Sequence, residues 1–133
     1  VIPSARLRLI GFHLREESEL RAGFDRAGLL DAVRCEGVLR SEELPPFYRA
    51  AQVLVVPSAY EGLPMVILEA AQQKLPCVAT RVSGHPEVIE DGRNGFLVEL
   101  DRPEAFAERC IRILAEPELR THMGEAAAEL CER

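Results

Sequence analysis

The chain has 133 residues, 47% of them hydrophobic, and a formal net charge of −6. This length and composition suit a single globular domain with a real core. The acidic balance argues against nucleic acid as the main partner, and no apolar run is long enough for a transmembrane segment. We therefore expect a cytoplasmic protein, and leave open a peripheral position at the inner face of a membrane.

The four cysteines, at positions 35, 77, 110 and 131, do not have the spacing of metal or redox motifs. We predict buried, reduced thiols and no metal site. The sequence also lacks Gly-x-Gly-x-x-Gly and Asp-x-Asp motifs, so we expect no dinucleotide cofactor and no metal that grips a diphosphate. Because the chain begins with Val1 rather than Met, we expect it to be part of a longer protein.

Strands and helices alternate along the chain. Apolar, β-branched runs predict strands at residues 7–11, 33–38, 53–57, 76–80 and 96–98. Helical spacing predicts a helix at about 15–27, a second that starts at Ser41, and a third that follows the third strand and ends at about Gln73. Further helices are predicted at 86–89 and in two final segments separated by Pro117. Asp101 and Glu104 have the spacing of a capping box for the first of these two. Such alternation is typical of a parallel sheet covered by helices on both faces.

The stretch from Glu61 to Glu69 organises the chain. Pro64 suits the first turn of a helix, and the N–H groups of Met65 and Val66 would then have no acceptor within the helix. With the positive end of the helix dipole, these groups predict a binding place for an anion, typically a phosphate.

Glu69 is a carboxylate among apolar neighbours on a helix that we expect to be buried. Its side chain should lean toward the helix N-terminus, where it could accept hydrogen bonds from ligand hydroxyls. Alternatively, Glu69 pairs with a buried arginine or a backbone donor. The residues alone leave both interpretations open.

Several candidate residues follow predicted strands directly. They are Gly11, Pro57, the loop at Glu61 and the loop at residues 83–84. Ligands of parallel sheets bind beyond the carboxyl ends of the strands. We therefore expect these residues on one rim of the sheet.

Two motifs carry a resemblance to a known family. E-G-L-P-M-V-I-L-E-A at 61–70 and S-G-H-P-E-V-I-E-D-G-R-N-G-F-L-V at 83–98 resemble the retaining, nucleotide-sugar-dependent glycosyltransferases of group 1. The resemblance implies an α/β fold with a Rossmann-like parallel sheet, one half of a GT-B fold. It also implies transfer of a sugar from a nucleoside-diphosphate sugar to an acceptor hydroxyl. A family strand that carries an arginine and a lysine has no counterpart before Leu7, and the acceptor would bind to an N-terminal domain. We expect this chain alone to be inactive.

The resemblance also assigns roles. Glu61 matches the glutamate that faces the donor sugar and is the catalytic candidate, while Glu69 matches the one that binds the ribose hydroxyls. Leu39 borders the base, and Gly11 begins the loop after the first strand. The remaining candidates contact sugar and phosphate through their backbone: Gly62, Leu63, Pro64, Met65 and Val66.

The sequence departs from the family pattern at three positions. His13 stands where a glycine is usual, and it either lies near the nucleotide or is an ordinary surface residue. Lys74 replaces a glycine and would be strained if its φ were positive, and Gln52 replaces an aspartate. His85 lies on the predicted rim, where a ligand contact and a structural role are both open. The departures at His13, Lys74 and Gln52 keep a non-catalytic nucleotide-sugar-binding or regulatory domain as one alternative. A sugar-nucleotide epimerase of similar architecture is a second alternative.

Overall fold

The computed structural model describes residues 2–11, 14–60 and 64–133, with Leu14 described by its backbone only. The chain forms two compact units, Val1–Leu44 and Pro45–Arg133. The prediction of a single domain therefore stays a prediction. Each unit contains parallel strands and helices, as the alternating pattern indicated.

The first unit is a strand–helix–strand arrangement. Its elements are β1 (Leu7–Ile10), α1 (Leu14–Arg26) and β2 (Val33–Gly37). β1 pairs in parallel with β2, and Leu7 lies opposite Val33. Gly28 follows α1 with a φ of 71°, a conformation that glycine adopts without steric cost at a helix end.

A helix starting at Ser41 is not what forms. Residues Ser41–Glu43 make a 3₁₀ turn, and α2 covers Pro45–Ala50. Two successive prolines, Pro45 and Pro46, lack the N–H groups that would continue hydrogen bonds from the preceding turn. The helix therefore begins again at Pro45.

The second unit is built on a three-stranded parallel sheet. Its further elements are β3 (Leu54–Val56), α3 (Met65–Gln72), β4 (Cys77–Thr80), α4 (His85–Val88), β5 (Gly95–Val98), α5 (Pro103–Ala115) and α6 (Pro117–Cys131). The strand order is β3-β4-β5, so β4 is central. Every residue of β4 is buried.

Helices cover both faces of this sheet, as predicted. On one face, Ile67 of α3 and Ile89 at the end of α4 form a buried cluster with Ala79 of β4. On the other face, Ile113 of α5 and Met123 of α6 form a cluster with strand residues. The α/β class is thus confirmed. In the described residues the strands pair as β1-β2 in the first unit and as β3-β4-β5 in the second. An apolar pattern marks a strand but does not specify its neighbour.

The predicted capping box at the start of α5 is wrong. Arg102 is the N-cap, and no side chain caps this helix terminus. Asp101 lies in the left-handed region with a φ of 62°. Because Pro103 suits the first helical position, the helix starts two residues after Asp101, and Glu104 cannot occupy the third position that the box requires.

All four cysteines are free, but the prediction that they are buried holds only for Cys77, because the other three are partly exposed. Burial raises the pKa of the Cys77 thiol strongly, and burial raises the pKa of Cys110 to about 11. These two thiols are therefore protonated at neutral pH, and they act as apolar packing groups.

Gly124 allows α6 to approach the turn after α3. A Cβ atom at Gly124 would overlap the backbone carbonyl of Lys74. Lys74 has a φ of 57°, so the strain that its replacement of glycine suggested is present. The turn cannot easily retreat, because Leu75 and Pro76 beyond it are buried.

We expect Gly124→Ala to lower the free energy of unfolding by about 1–3 kcal/mol, as overpacking against backbone does. Gly23→Ala is the matched control, because a Cβ there would meet only the end of the Arg26 side chain at 3.8 Å. The control should gain about 0.5–1 kcal/mol from better helix propensity. Urea titrations of the two variants make the comparison, and equal shifts in the same direction would contradict the close contact.

Candidate functional site

The N-terminus of α3 is open. The helix begins at Met65, with Pro64 as the N-cap, so the prediction that Pro64 lies inside the first turn is wrong by one residue. The N–H groups of Ile67 and Leu68 bond to the Pro64 carbonyl at 3.1 and 3.3 Å. The first two helical N–H groups, those of Met65 and Val66, precede these bonds and have no acceptor inside the helix.

One flank of α3 is exposed, contrary to the expectation that the helix is buried nearly all round. The side chains of Met65 and Val66 are 48% and 38% exposed, whereas Ile67 and Ala70 are buried. Glu69 is half-buried. It lies four residues after Met65 and three after Val66, so these residues share a flank of the helix. The rise from Met65 to Glu69 is about 6 Å along the axis.

Glu69 is paired with a tyrosine. The Tyr48 hydroxyl of α2 donates a hydrogen bond to Glu69 Oε2 at 3.0 Å. Within residues 2–11, 14–60 and 64–133, no arginine forms an ion pair with Glu69. Neither partner that the sequence suggested, a buried arginine or a backbone donor, is the one found.

Tyr48 is itself enclosed, with 8% of its surface exposed. Burial, followed by the hydrogen bond to Glu69, raises the pKa of the Tyr48 hydroxyl far above its ordinary value. The phenol therefore remains protonated and donates its hydrogen at any physiological pH. The other carboxylate oxygen, Glu69 Oε1, has no hydrogen-bond partner in the described part of the chain and is not enclosed.

The Thr80 side chain ties the carboxyl end of β4 to the segment after β3, and the His85 ring contacts the backbone of Thr80. The Thr80 hydroxyl donates to the carbonyl of Ser58, just after β3. The fully buried His85 ring places Nδ1 2.6 Å from the Thr80 carbonyl. Among the described residues, His85 Nε2 is enclosed without a hydrogen-bond partner. The contact of Nδ1 with the Thr80 carbonyl supports a structural role for His85.

The second half of the 83–98 motif forms a turn. The Asn94 side chain accepts a hydrogen bond from the Glu90 N–H at 2.7 Å and donates one to the Val88 carbonyl at 3.0 Å. Asp91 Oδ1 accepts the Leu97 N–H at 3.0 Å. These residues shape the entry into β5, so this part of the motif is explained by the fold.

Gly11 and Leu39 lie in the first unit, beyond the carboxyl ends of its strands. Gly11 has a φ of 98°, and its N–H bonds to the Gly37 carbonyl at the end of β2 at 2.8 Å. Leu39, two residues further along, is half-buried. Within this unit, the two candidates therefore follow adjacent strand ends, as expected for a rim.

Four predicted or discussed residues fall outside the described ranges: Glu61, Gly62, Leu63 and His13. The role of Glu61 in particular stays a prediction. Tyr48, in contrast, received no site role from the sequence, because the contact between α2 and α3 that brings its hydroxyl to Glu69 is not visible in the residue pattern.

The family model for group 1 glycosyl transferases matches residues 1–116. The chain belongs to the group 1 glycosyltransferases. A D-inositol 3-phosphate glycosyltransferase from Streptomyces griseus is 38% identical over 134 aligned positions, which cover 95% of this chain and 28% of that protein. Neither the epimerase nor the non-catalytic alternative is favoured by these matches.

Solved structures share the fold. Sucrose-phosphate synthase from Thermosynechococcus elongatus superposes with a TM-score of 0.91 at 30% identity, covering 98% of this chain and 34% of that one. The Anabaena protein HepE, in complex with UDP and glucose, gives 0.90 at 25% identity, covering 98% of this chain and 36% of that one. This glycosyltransferase chain thus spans about a third of these relatives.

Among the helices of the described ranges, none is long and apolar enough to cross a bilayer.

We expect His85 to carry its proton on Nδ1 in alkaline buffer, because the Thr80 carbonyl can only accept a hydrogen bond. Nitrogen-15 NMR of the histidine rings distinguishes the two tautomers. His122, which is exposed on α6, is the internal control and should average between tautomers. A proton fixed on Nε2 of His85 would contradict the contact with Thr80.

Proposed function

We propose that this chain is the sugar-donor-binding part of a retaining glycosyltransferase that uses a nucleoside-diphosphate sugar. The observation that carries the proposal is the Glu69 carboxylate. It is held by Tyr48 on one side, is open on the other, and lies one turn below the exposed N-terminus of α3.

The two groups favour different parts of one ligand. An ionised carboxylate can only accept hydrogen bonds, so Glu69 Oε1 suits ligand hydroxyls and not phosphate oxygens. A helix N-terminus offers N–H donors and a positive dipole, so Met65 and Val66 suit phosphate. A nucleoside diphosphate carries both, with a ribose diol beside its phosphates.

The relatives support this assignment. The structures of HepE contain UDP, UDP with glucose, and UDP-glucose. We propose the same class of ligand here, with UDP as the first nucleotide to test. The nucleotide sugar is a substrate, and the proposal needs no cofactor and no metal.

The chemistry follows from charge and position. As the bond from the sugar to the diphosphate breaks, the leaving diphosphate gains negative charge. The N–H groups at the start of α3 are already oriented toward that charge, so they would stabilise the transition state more than the ground state. Glu61, by family resemblance, would orient the sugar. The acceptor would bind to an N-terminal domain of the whole protein.

Glu69→Ala should weaken UDP binding by about 10-fold or more, the loss expected for a hydrogen bond to a charged group. It also removes the acceptor of the buried Tyr48 hydroxyl, which should lower the free energy of unfolding by about 1–3 kcal/mol. Isothermal titration and a urea titration measure the two effects.

Glu69→Gln keeps an acceptor for Tyr48 and should recover most of this stability, but not the full affinity. Glu108→Ala, at an exposed position on α5, is the control and should change neither quantity. Unchanged UDP affinity in Glu69→Ala would refute the proposed site.

In the whole enzyme, with its acceptor domain, Glu61→Gln should lower turnover by about 10²-fold or more, as when one preorganised electrostatic contact is lost. UDP without sugar should bind nearly as before, because Glu69 and the N–H groups of α3 hold the nucleotide. Steady-state kinetics with the sugar donor and titration with UDP test the two halves. Equal losses in both would mean that Glu61 supports the loop rather than the sugar.

A further inference from the structure

We propose that Tyr48 is a positioning residue for the nucleotide: its hydroxyl holds Glu69 Oε2 so that Oε1 faces the ribose hydroxyls. This inference rests on the proposed function and extends it to a residue on another helix. It begins from the 3.0 Å hydrogen bond between α2 and α3, which joins residues 21 positions apart.

The phenol ring is a fixed support. Tyr48 is buried, and its helix packs against α3. A glutamate side chain on a half-exposed helix flank samples several rotamers, and ordering it on binding costs conformational entropy. A hydrogen bond from a buried phenol selects one of these rotamers before the ligand arrives.

A tyrosine is better suited to this task than the cation that usually accompanies a buried carboxylate. An arginine would bind both carboxylate oxygens in a bidentate pair and would neutralise the charge. Tyr48 is neutral and has one hydrogen to donate, so it engages Oε2 alone. The charge and the lone pairs of Oε1 remain for the ligand.

The protonation state of Tyr48 fits the same role. Its raised pKa keeps the hydroxyl hydrogen in place, so the direction of the bond does not change over the physiological pH range. Glu69 Oε2 thus always accepts a hydrogen bond from the protein. Glu69 Oε1 remains to accept a hydrogen bond from the ligand.

The test is a double-mutant cycle in the protein, read by isothermal titration. UDP, ADP and GDP are titrated into the wild type, and the tightest of them is used for Tyr48→Phe, Glu69→Ala and the double variant. Tyr48→Phe removes one oxygen and keeps the buried ring. We expect its Kd to rise about 3- to 10-fold over the wild type, and we expect no further rise from Tyr48→Phe when Glu69 is already alanine.

The 2′,3′-dideoxy analogue of the same nucleotide separates positioning from folding. It has no 2′ or 3′ hydroxyl that could donate a hydrogen bond to Glu69, so its Kd should be the same in the wild type and in Tyr48→Phe. A merely structural tyrosine would weaken both nucleotides equally, and that outcome would overturn the inference.

The remaining outcomes separate this inference from the proposed function. If Glu69→Ala weakens binding and Tyr48→Phe does not, the positioning role is wrong and the proposed site stands. If Glu69→Ala has no effect, or none of the three nucleotides binds to the wild type, the proposed site and the role of Tyr48 both fall.

Discussion

The complete burial of β4 is the constraint on which the second unit depends. All four residues of this strand are enclosed between β3 and β5 and between helices on both faces. A strand in that position must be apolar. It runs parallel to both of its neighbours, which brings the carboxyl ends of the three strands to one edge. The connection from β3 to β4 is α3, and it starts at that edge. The place where an anion can meet helix N–H groups is thus a consequence of how the sheet is covered.

A carboxylate on α3 adds a polar requirement to this arrangement. Glu69 lies on a helix whose other flank contributes Ile67 to the core, and a half-buried charge needs hydrogen bonds. The fold supplies one from Tyr48 and leaves one oxygen open. An ion pair would have satisfied the carboxylate more completely, but it would have left less of its charge for a ligand. The incomplete pairing is what makes a ligand role physically reasonable.

The sequence predicted those features that depend on local pattern. The β-branched runs located β3 and β4, and Pro64 located the start of α3 to within one residue. The sequence could not predict which strands pair, because pairing depends on neighbours that a local pattern does not contain. It placed a capping box at Asp101, because spacing cannot indicate that a residue adopts a left-handed conformation.

The partner of Glu69 was missed for a similar reason. Tyr48 is 21 positions away, and a tyrosine at helical spacing is an ordinary core residue until the packing of two helices is known. The sequence suggested an arginine because cations are the usual partners of buried carboxylates. Lys74 shows the opposite case, since the expected strain followed from a single residue type at a helix end and was found.

The most direct test of the site is a crystal structure of the protein with bound UDP. We expect a phosphate at the N–H groups of Met65 and Val66. A ribose hydroxyl should lie within hydrogen-bond distance of Glu69 Oε1, with Tyr48 still bonded to Oε2. UDP bound elsewhere, or a ribose turned away from Glu69, would contradict the assignment of this helix terminus as the nucleotide site.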